Sequence, residues 1–290
     1  MHLDSVRLRV GGSPVLVHSN DDAFLAVVRR SFVDLVWPIS TLWDDSDTAG
    51  VIRFDVLRND LPWTDWGIWR DGEPCEITLT QDYVIFQLQW ELNRVVLEGQ
   101  TLTVHAAAAE IDGCGLMFPG ASTSGKTTLA GWIGLQGGAF VADEVVAVRG
   151  ADRSMIPYHR PLGLRPGGPL ESGFIDAMSF ETAFDGYEKL APMSALGGSL
   201  SSRPFIAIHA IVFPQYTPGA VVSLKPLPKS DAFQRLCSLS PGLAEHGVAV
   251  FSALAGLVRD RPTFELVSDD LGRALDLIRH EIANHWYASP

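Results

Sequence analysis

Gly120-Ala121-Ser122-Thr123-Ser124-Gly125-Lys126-Thr127 fits G-x-x-x-x-G-K-[ST], the spacing of a phosphate-binding loop. Average residue frequencies would produce it by chance in about one chain in a hundred of this length. Its setting sharpens the reading. The apolar run Leu116-Met117-Phe118 predicts a strand before it. Leu129, Trp132, Ile133 and Leu135 predict a helix over 128–136, ended by Gly137-Gly138. Strand, loop and helix are what the mechanism needs. Glycines let successive N–H groups turn inward, and a helix start adds its positive end. Lys126 would place a point charge at the outer phosphates, and Thr127 would offer its hydroxyl to Mg2+. With Thr128 in the first helical turn, residues 120–128 are the expected ATP-binding stretch, with ATP and Mg2+ as the ligands.

Beyond that helix the chain reads Ala139-Phe140-Val141-Ala142-Asp143-Glu144-Val145-Val146-Ala147-Val148: strand, acidic pair, strand. One helix and one strand return Asp143 and Glu144 beside the loop. Neighbouring strand residues face opposite ways, so a bend is needed for both acids to line one site. Phosphoryl transfer uses a carboxylate near the metal and one that accepts the hydroxyl proton. His105, before four alanines, reads on its own as structural.

Further out, Val6–Val10 with Gly11-Gly12 predicts a strand and turn, and Asn20-Asp21-Asp22 the cap of a helix over 23–36 that Pro38 ends. Strands are expected over 51–57 and 76–80, after an Asp71-Gly72 turn, and a helix over 87–97. Trp63, Trp66 and Trp69 invite a ligand platform, but packing is the plainer reading of tryptophan. Residues 102–111 read as one strand turning at Asp112-Gly113. Strands follow over 206–213 and 220–224. Ser230-Asp231 would cap a helix, 248–258 reads as a buried helix, and Leu271, Ala274, Leu275, Ile278 and Ile282 give an amphipathic last helix. Residues 154–170 and 186–203 are irregular, as segments that shape a substrate site often are. The expected division is an α+β region over 1–97, a candidate for substrate recognition, and an α/β kinase domain over 98–290.

The composition limits the partners. A net charge of -12 over 290 residues speaks against nucleic acid and anionic membrane. The three cysteines, Cys75, Cys114 and Cys237, form no close pair, so neither a disulfide framework nor a zinc site is expected. With no signal-like or spanning apolar run, a cytoplasmic location is expected.

The string from His105 through Glu110 and Asp112-Gly113, the loop 120–130, and Gly137-Gly138 to Asp143-Glu144 resembles the HPr kinase/phosphorylase superfamily, and more closely the HPr-kinase-related proteins, some of which phosphorylate a serine of a ribosomally made peptide. The likeness is strong over 103–149 and weaker through Arg160-Pro161-Leu162-Gly163-Leu164 and Ala210–Tyr216. It implies a phosphate-loop kinase fold of the HPr kinase/phosphoenolpyruvate carboxykinase type, with a mixed sheet and flanking helices. It implies Asp143 as general base, Glu144 as metal-side partner with Thr127, Lys126 and His105 in the active site, and Arg160 and Arg203 as phosphate or substrate contacts. It also implies a protein or peptide acceptor and assembly into homo-oligomers. Glu144 stands where HPr kinase has aspartate, and that enzyme's downstream signature is missing, which sets HPr and the reverse reaction in question. A small-molecule kinase and a non-catalytic ATP-dependent binding module remain as alternatives.

Overall fold

The computed structural model describes residues 4–37, 50–61, 64–100, 102–164, 170 and 189–283. Pro38, Trp63 and parts of the irregular segments, 165–169 and 186–188, lie outside the described residues. The chain divides into two compact units, Met1–Gly99 with Arg160–Pro192, and Gln100–His159 with Met193–Pro290. A linear division at 97/98 does not include the return of 160–192 to the first unit.

The first unit begins with β1 (Asp4–Val10), β2 (Ser13–Ser19), α1 (Asp22–Ser31), β3 (Ile52–Leu61), β4 (Thr64–Arg70), β5 (Glu73–Leu79) and α2 (Gln81–Glu98). Among the described residues its strands form a sheet in the order β1-β2-β3-β4-β5. Alternation in β1 and β2 buries Val6, Leu8, Val10, Val15 and Val17, the period expected of strands with one covered face. Asp21 caps α1 by accepting from the Phe24 N–H at 2.9 Å. The helix stops at Ser31, short of the expected Val36, and a 3-10 turn over Val33–Leu35 follows. Trp66 is buried, its ring 5.0 Å from that of Phe24, so it serves packing. α2 starts six positions earlier than its apolar spacing suggests and buries Leu88, Leu92, Val95 and Val96.

The second unit opens with β6 (Leu102–Val104), β7 (Ala106–Ile111), β8 (Cys114–Pro119), α3 (Lys126–Leu135), β9 (Ala139–Ala142), β10 (Val146–Val148) and β11 (Ser154–Ile156). Two short strands of the first unit intervene, β12 (Leu162–Leu164) and β13 (Lys189–Ala191), paired with each other. The second unit resumes with β14 (Ile206–Tyr216), β15 (Ser223–Pro226), α4 (Lys229–Ser238), α5 (Gly242–Asp260), β16 (Thr263–Ser268) and α6 (Leu271–Glu281). β14 is central: Ile211 pairs in parallel with Met117 of β8 on one edge and Thr263 of β16 on the other. Beyond β8 come β7 and then β9, each antiparallel to its predecessor. The four alanines of β7 are fully buried, and their small side chains let α3 lie close against β7 and β9. The architecture is mixed α/β, with mixed sheets and flanking helices.

Three expectations need correction. Residues 102–111 form two strands, broken at His105, whose N–H leaves the ladder for the Leu239 carbonyl at 2.7 Å. α4 starts after Pro228 with no side-chain cap, so Ser230 and Asp231 lie inside it. α5 is only partly buried: Gly247 kinks it (φ 42°, ψ -109°), and Val248 and Phe251 are 82% and 51% exposed. The last helix matches expectation, with Asp270 accepting from Arg273 N–H and Ala274, Leu275, Ile278 and Ile282 buried. No helix of the described residues is long and apolar enough to cross a membrane.

Candidate active site

Register decides which residues meet. Ala106 pairs with Pro119, and Ala108 with Ala142. The start of β7, the end of β8 and the end of β9 therefore share one edge of the sheet. His105, the loop 120–125 and Asp143-Glu144 all emerge there.

The loop is closed by short backbone contacts. The Ser124 N–H donates to the Ala121 carbonyl at 3.2 Å, and the Ser124 carbonyl accepts from Tyr216 N–H at 3.0 Å. Gly125 stands at φ 95° just before α3, a conformation glycine adopts without strain. At Gly120 a Cβ would lie 2.3 Å from the Ser124 hydroxyl, so the loop's own side chain fills that space.

Its donors suit an anion. α1 and α6 carry aspartate caps, but α3 has no side-chain cap and no acid in its first turn. Its leading N–H groups need an acceptor. The Ser124 hydroxyl is buried without a hydrogen-bond partner. The Lys126 side chain is only 6% exposed, with Glu144 Oε2 3.9 Å from Nζ. A buried ammonium at that distance from a half-exposed carboxylate is incompletely compensated. Phosphate oxygens would satisfy all three groups, so the residues fit a nucleotide triphosphate.

The acids are bent apart as the spacing requires. Glu144 adopts φ 65°, and Val145 N–H closes a γ-turn onto the Asp143 carbonyl at 2.8 Å. Asp143 is 2% exposed and accepts the Thr127 hydroxyl at 2.9 and 3.1 Å. Glu144 points to the other side, where His105 Nδ1 lies 3.2 Å from its carboxylate and 3.1 Å from its carbonyl. The structure thus joins His105, Lys126, Thr127, Asp143 and Glu144. It couples Thr127 to Asp143, and Glu144 to His105 and Lys126. Among the described residues no three metal-type side chains cluster. Mg2+ is commonly held by one or two carboxylates together with substrate phosphates, and Thr127 with Asp143 would provide the protein's share.

Arg203 stands elsewhere. Arg203 pairs with Glu110 Oε1 at 3.1 Å, and Ser201 donates to the same carboxylate. Glu110 faces Gly115, four strand residues below Pro119 and so about 13 Å from the loop end of β8. Arg160 belongs to the first unit and is buried. Its Nε donates to the Pro161 carbonyl at 3.3 Å, and the Gln89 amide, turned to accept, takes a further bond at 2.9 Å. Both guanidinium groups have protein partners. Sequence reading passed over Leu239 and Tyr216 as neighbours of the site. Both are brought there by backbone hydrogen bonds across more than ninety residues, which no local pattern announces.

No family model and no curated protein matches this chain. Among solved structures it is similar to the HPr(Ser) kinase/phosphatase from Coxiella burnetii, at 13% identity, over 63% of this chain and 95% of that one, with a TM-score of 0.32. A superposition this loose fixes neither fold nor activity.

Proposed function

We propose that this chain is an ATP-dependent phosphotransferase that moves the terminal phosphate to a hydroxyl, the serine of a protein or ribosomally made peptide. The observation that carries this is the Thr127–Asp143 hydrogen bond beside an uncapped helix start that holds a buried lysine. The loop amides, the Ser124 hydroxyl and Lys126 bind the phosphates. Thr127 and Asp143 hold Mg2+, which when bound offsets charge on the outer phosphates. In the transfer, the acceptor oxygen bonds to the terminal phosphorus, the bond from that phosphorus to the bridging oxygen breaks, and the hydroxyl proton goes to a carboxylate. Glu144, more exposed than Asp143 and oriented by His105, is the better placed acceptor for that proton. This exchanges the roles that the family resemblance implies for the two acids, and the contact of Thr127 with Asp143 supports the exchange.

The test is transfer of label from [γ-32P]ATP to serine-containing peptides and to a panel of hydroxyl-bearing metabolites. Label on a peptide serine, lost in Lys126→Met, is the expected result. Label on a metabolite alone would replace the peptide acceptor with a small molecule. ATP binding with no turnover on any acceptor would leave a binding module and overturn the kinase reading.

A further inference from the structure

We propose that the ring of Tyr216 is the platform on which the nucleotide base stacks. This rests on the nucleotide reading above and deepens it.

The direction of the nucleotide follows from strand order. Across the sheet the strands run β9-β7-β8-β14, with β16 on the far edge of β14. The acids follow β9 and His105 precedes β7, so the reacting groups all lie to one side of the loop after β8. The terminal phosphate belongs on that side. The nucleoside then extends to the opposite side, over the carboxyl ends of β14 and β16. β14 runs parallel to both β8 and β16, and a crevice at the carboxyl ends of parallel strands is where open α/β sheets bind ligands.

Tyr216 is the last residue of β14. Its backbone is fixed twice, by the N–H donated to the Ser124 carbonyl at 3.0 Å and by register with Ser268 of β16. Its Cβ lies 3.4 Å from where a Cβ on Gly125 would stand, so the side chain leaves the sheet at the mouth of the loop. Yet the residue is 54% exposed. A large aromatic on a backbone held this firmly, and this open, beside a phosphate-binding loop offers a flat apolar face with only two side-chain torsions to order. From the end of β9 to β14 is three strand spacings, about 14 Å, a distance that a nucleoside triphosphate laid across the start of α3 spans.

Stacking on an aromatic is worth about 1–3 kcal/mol per base by alanine substitution, so Tyr216→Ala should weaken ATP binding by about tenfold or more. Inorganic tripolyphosphate, which has no base, should bind the variant and the wild type equally. Tyr216→Phe should keep wild-type affinity for both. Isothermal titration of the three proteins with both ligands and Mg2+ reads this directly. Unchanged ATP affinity in Tyr216→Ala overturns the proposal while leaving the phosphate site intact. An equal loss for ATP and tripolyphosphate overturns it too, by showing that Tyr216 only props the loop. Wild-type protein that binds neither ligand overturns the nucleotide reading itself, and this inference with it.

Discussion

The Thr127 hydroxyl bonds to both oxygens of Asp143, at 2.9 and 3.1 Å, while the next residue, Glu144, faces His105 and Lys126. Adjacent carboxylates thus occupy different surroundings, one buried against a hydroxyl and one half exposed beside an imidazole. On the proposed reading, such a division would separate metal binding from proton transfer. Asp143→Asn should raise the Mg2+ concentration needed for half-maximal turnover. Glu144→Gln should keep nucleotide affinity and lose about a hundredfold or more in kcat at saturating Mg2+. Titrating Mg2+ against initial rate in both variants checks the assignment, and the opposite pattern would restore the acids to the roles the resemblance implies.

Lys126 is 95% buried, with its nearest carboxylate 3.9 Å away. Burying an ammonium so weakly paired is unfavourable to the ligand-free protein. Lys126→Met should leave the melting temperature of the free protein equal or higher, and should abolish the rise that ATP gives. That rise reflects about 2.7 kcal/mol for wild-type protein at a hundred times Kd. Thermal melts with and without ATP and Mg2+ separate the two effects.

Gly125→Ala should destabilise the protein through its backbone alone. The φ of 95° lies where an L side chain is strained, yet the added Cβ would meet Tyr216 at an ordinary 3.4 Å. The expected loss is roughly 1–2 kcal/mol, seen as a lower urea midpoint with an unchanged slope.

Burial holds the His209 ring below its ordinary pKa of 6.5. The Gly115 N–H points at Nδ1 from 3.0 Å, which requires a lone pair there, so the Ala207 carbonyl at 3.1 Å is a close contact and not an acceptor. The unfolded chain binds this proton more readily than the fold does. Stability from this site is therefore complete above about pH 6.5 and falls as the pH drops through the lower folded value. His209→Gln should flatten the stability profile between neutral and mildly acidic pH, measured by urea unfolding at a series of pH values.

Much of the candidate site could be read from the sequence because its requirements are local. Gly120 and Gly125 are needed by close approach and backbone sign, and the Asp143-Glu144 pair interrupts an apolar run that otherwise reads as strand. What escaped was set by distant partners. Nothing near His105 shows that its N–H serves Leu239. Arg203 reads as a free cation until Glu110 is seen opposite it. Residues 248–258 read as buried because they are apolar apart from Ser252, but α5 is kinked at Gly247 and Val248 and Phe251 face outward. β16 had a fair signal in Thr263–Ser268, where Phe264 and Leu266 alternate with Glu265. It was obscured by lying between two strongly helical stretches.

Glu144 sits at φ 65°, a region in which a side chain other than glycine's is held at an energetic disadvantage of roughly 1–3 kcal/mol. A glycine there would relax the turn and erase the carboxylate in one change. Relaxed backbone and working acid are therefore alternatives at this residue, and a Glu144→Gly chain that folds more firmly while losing turnover would show strain kept in service of chemistry.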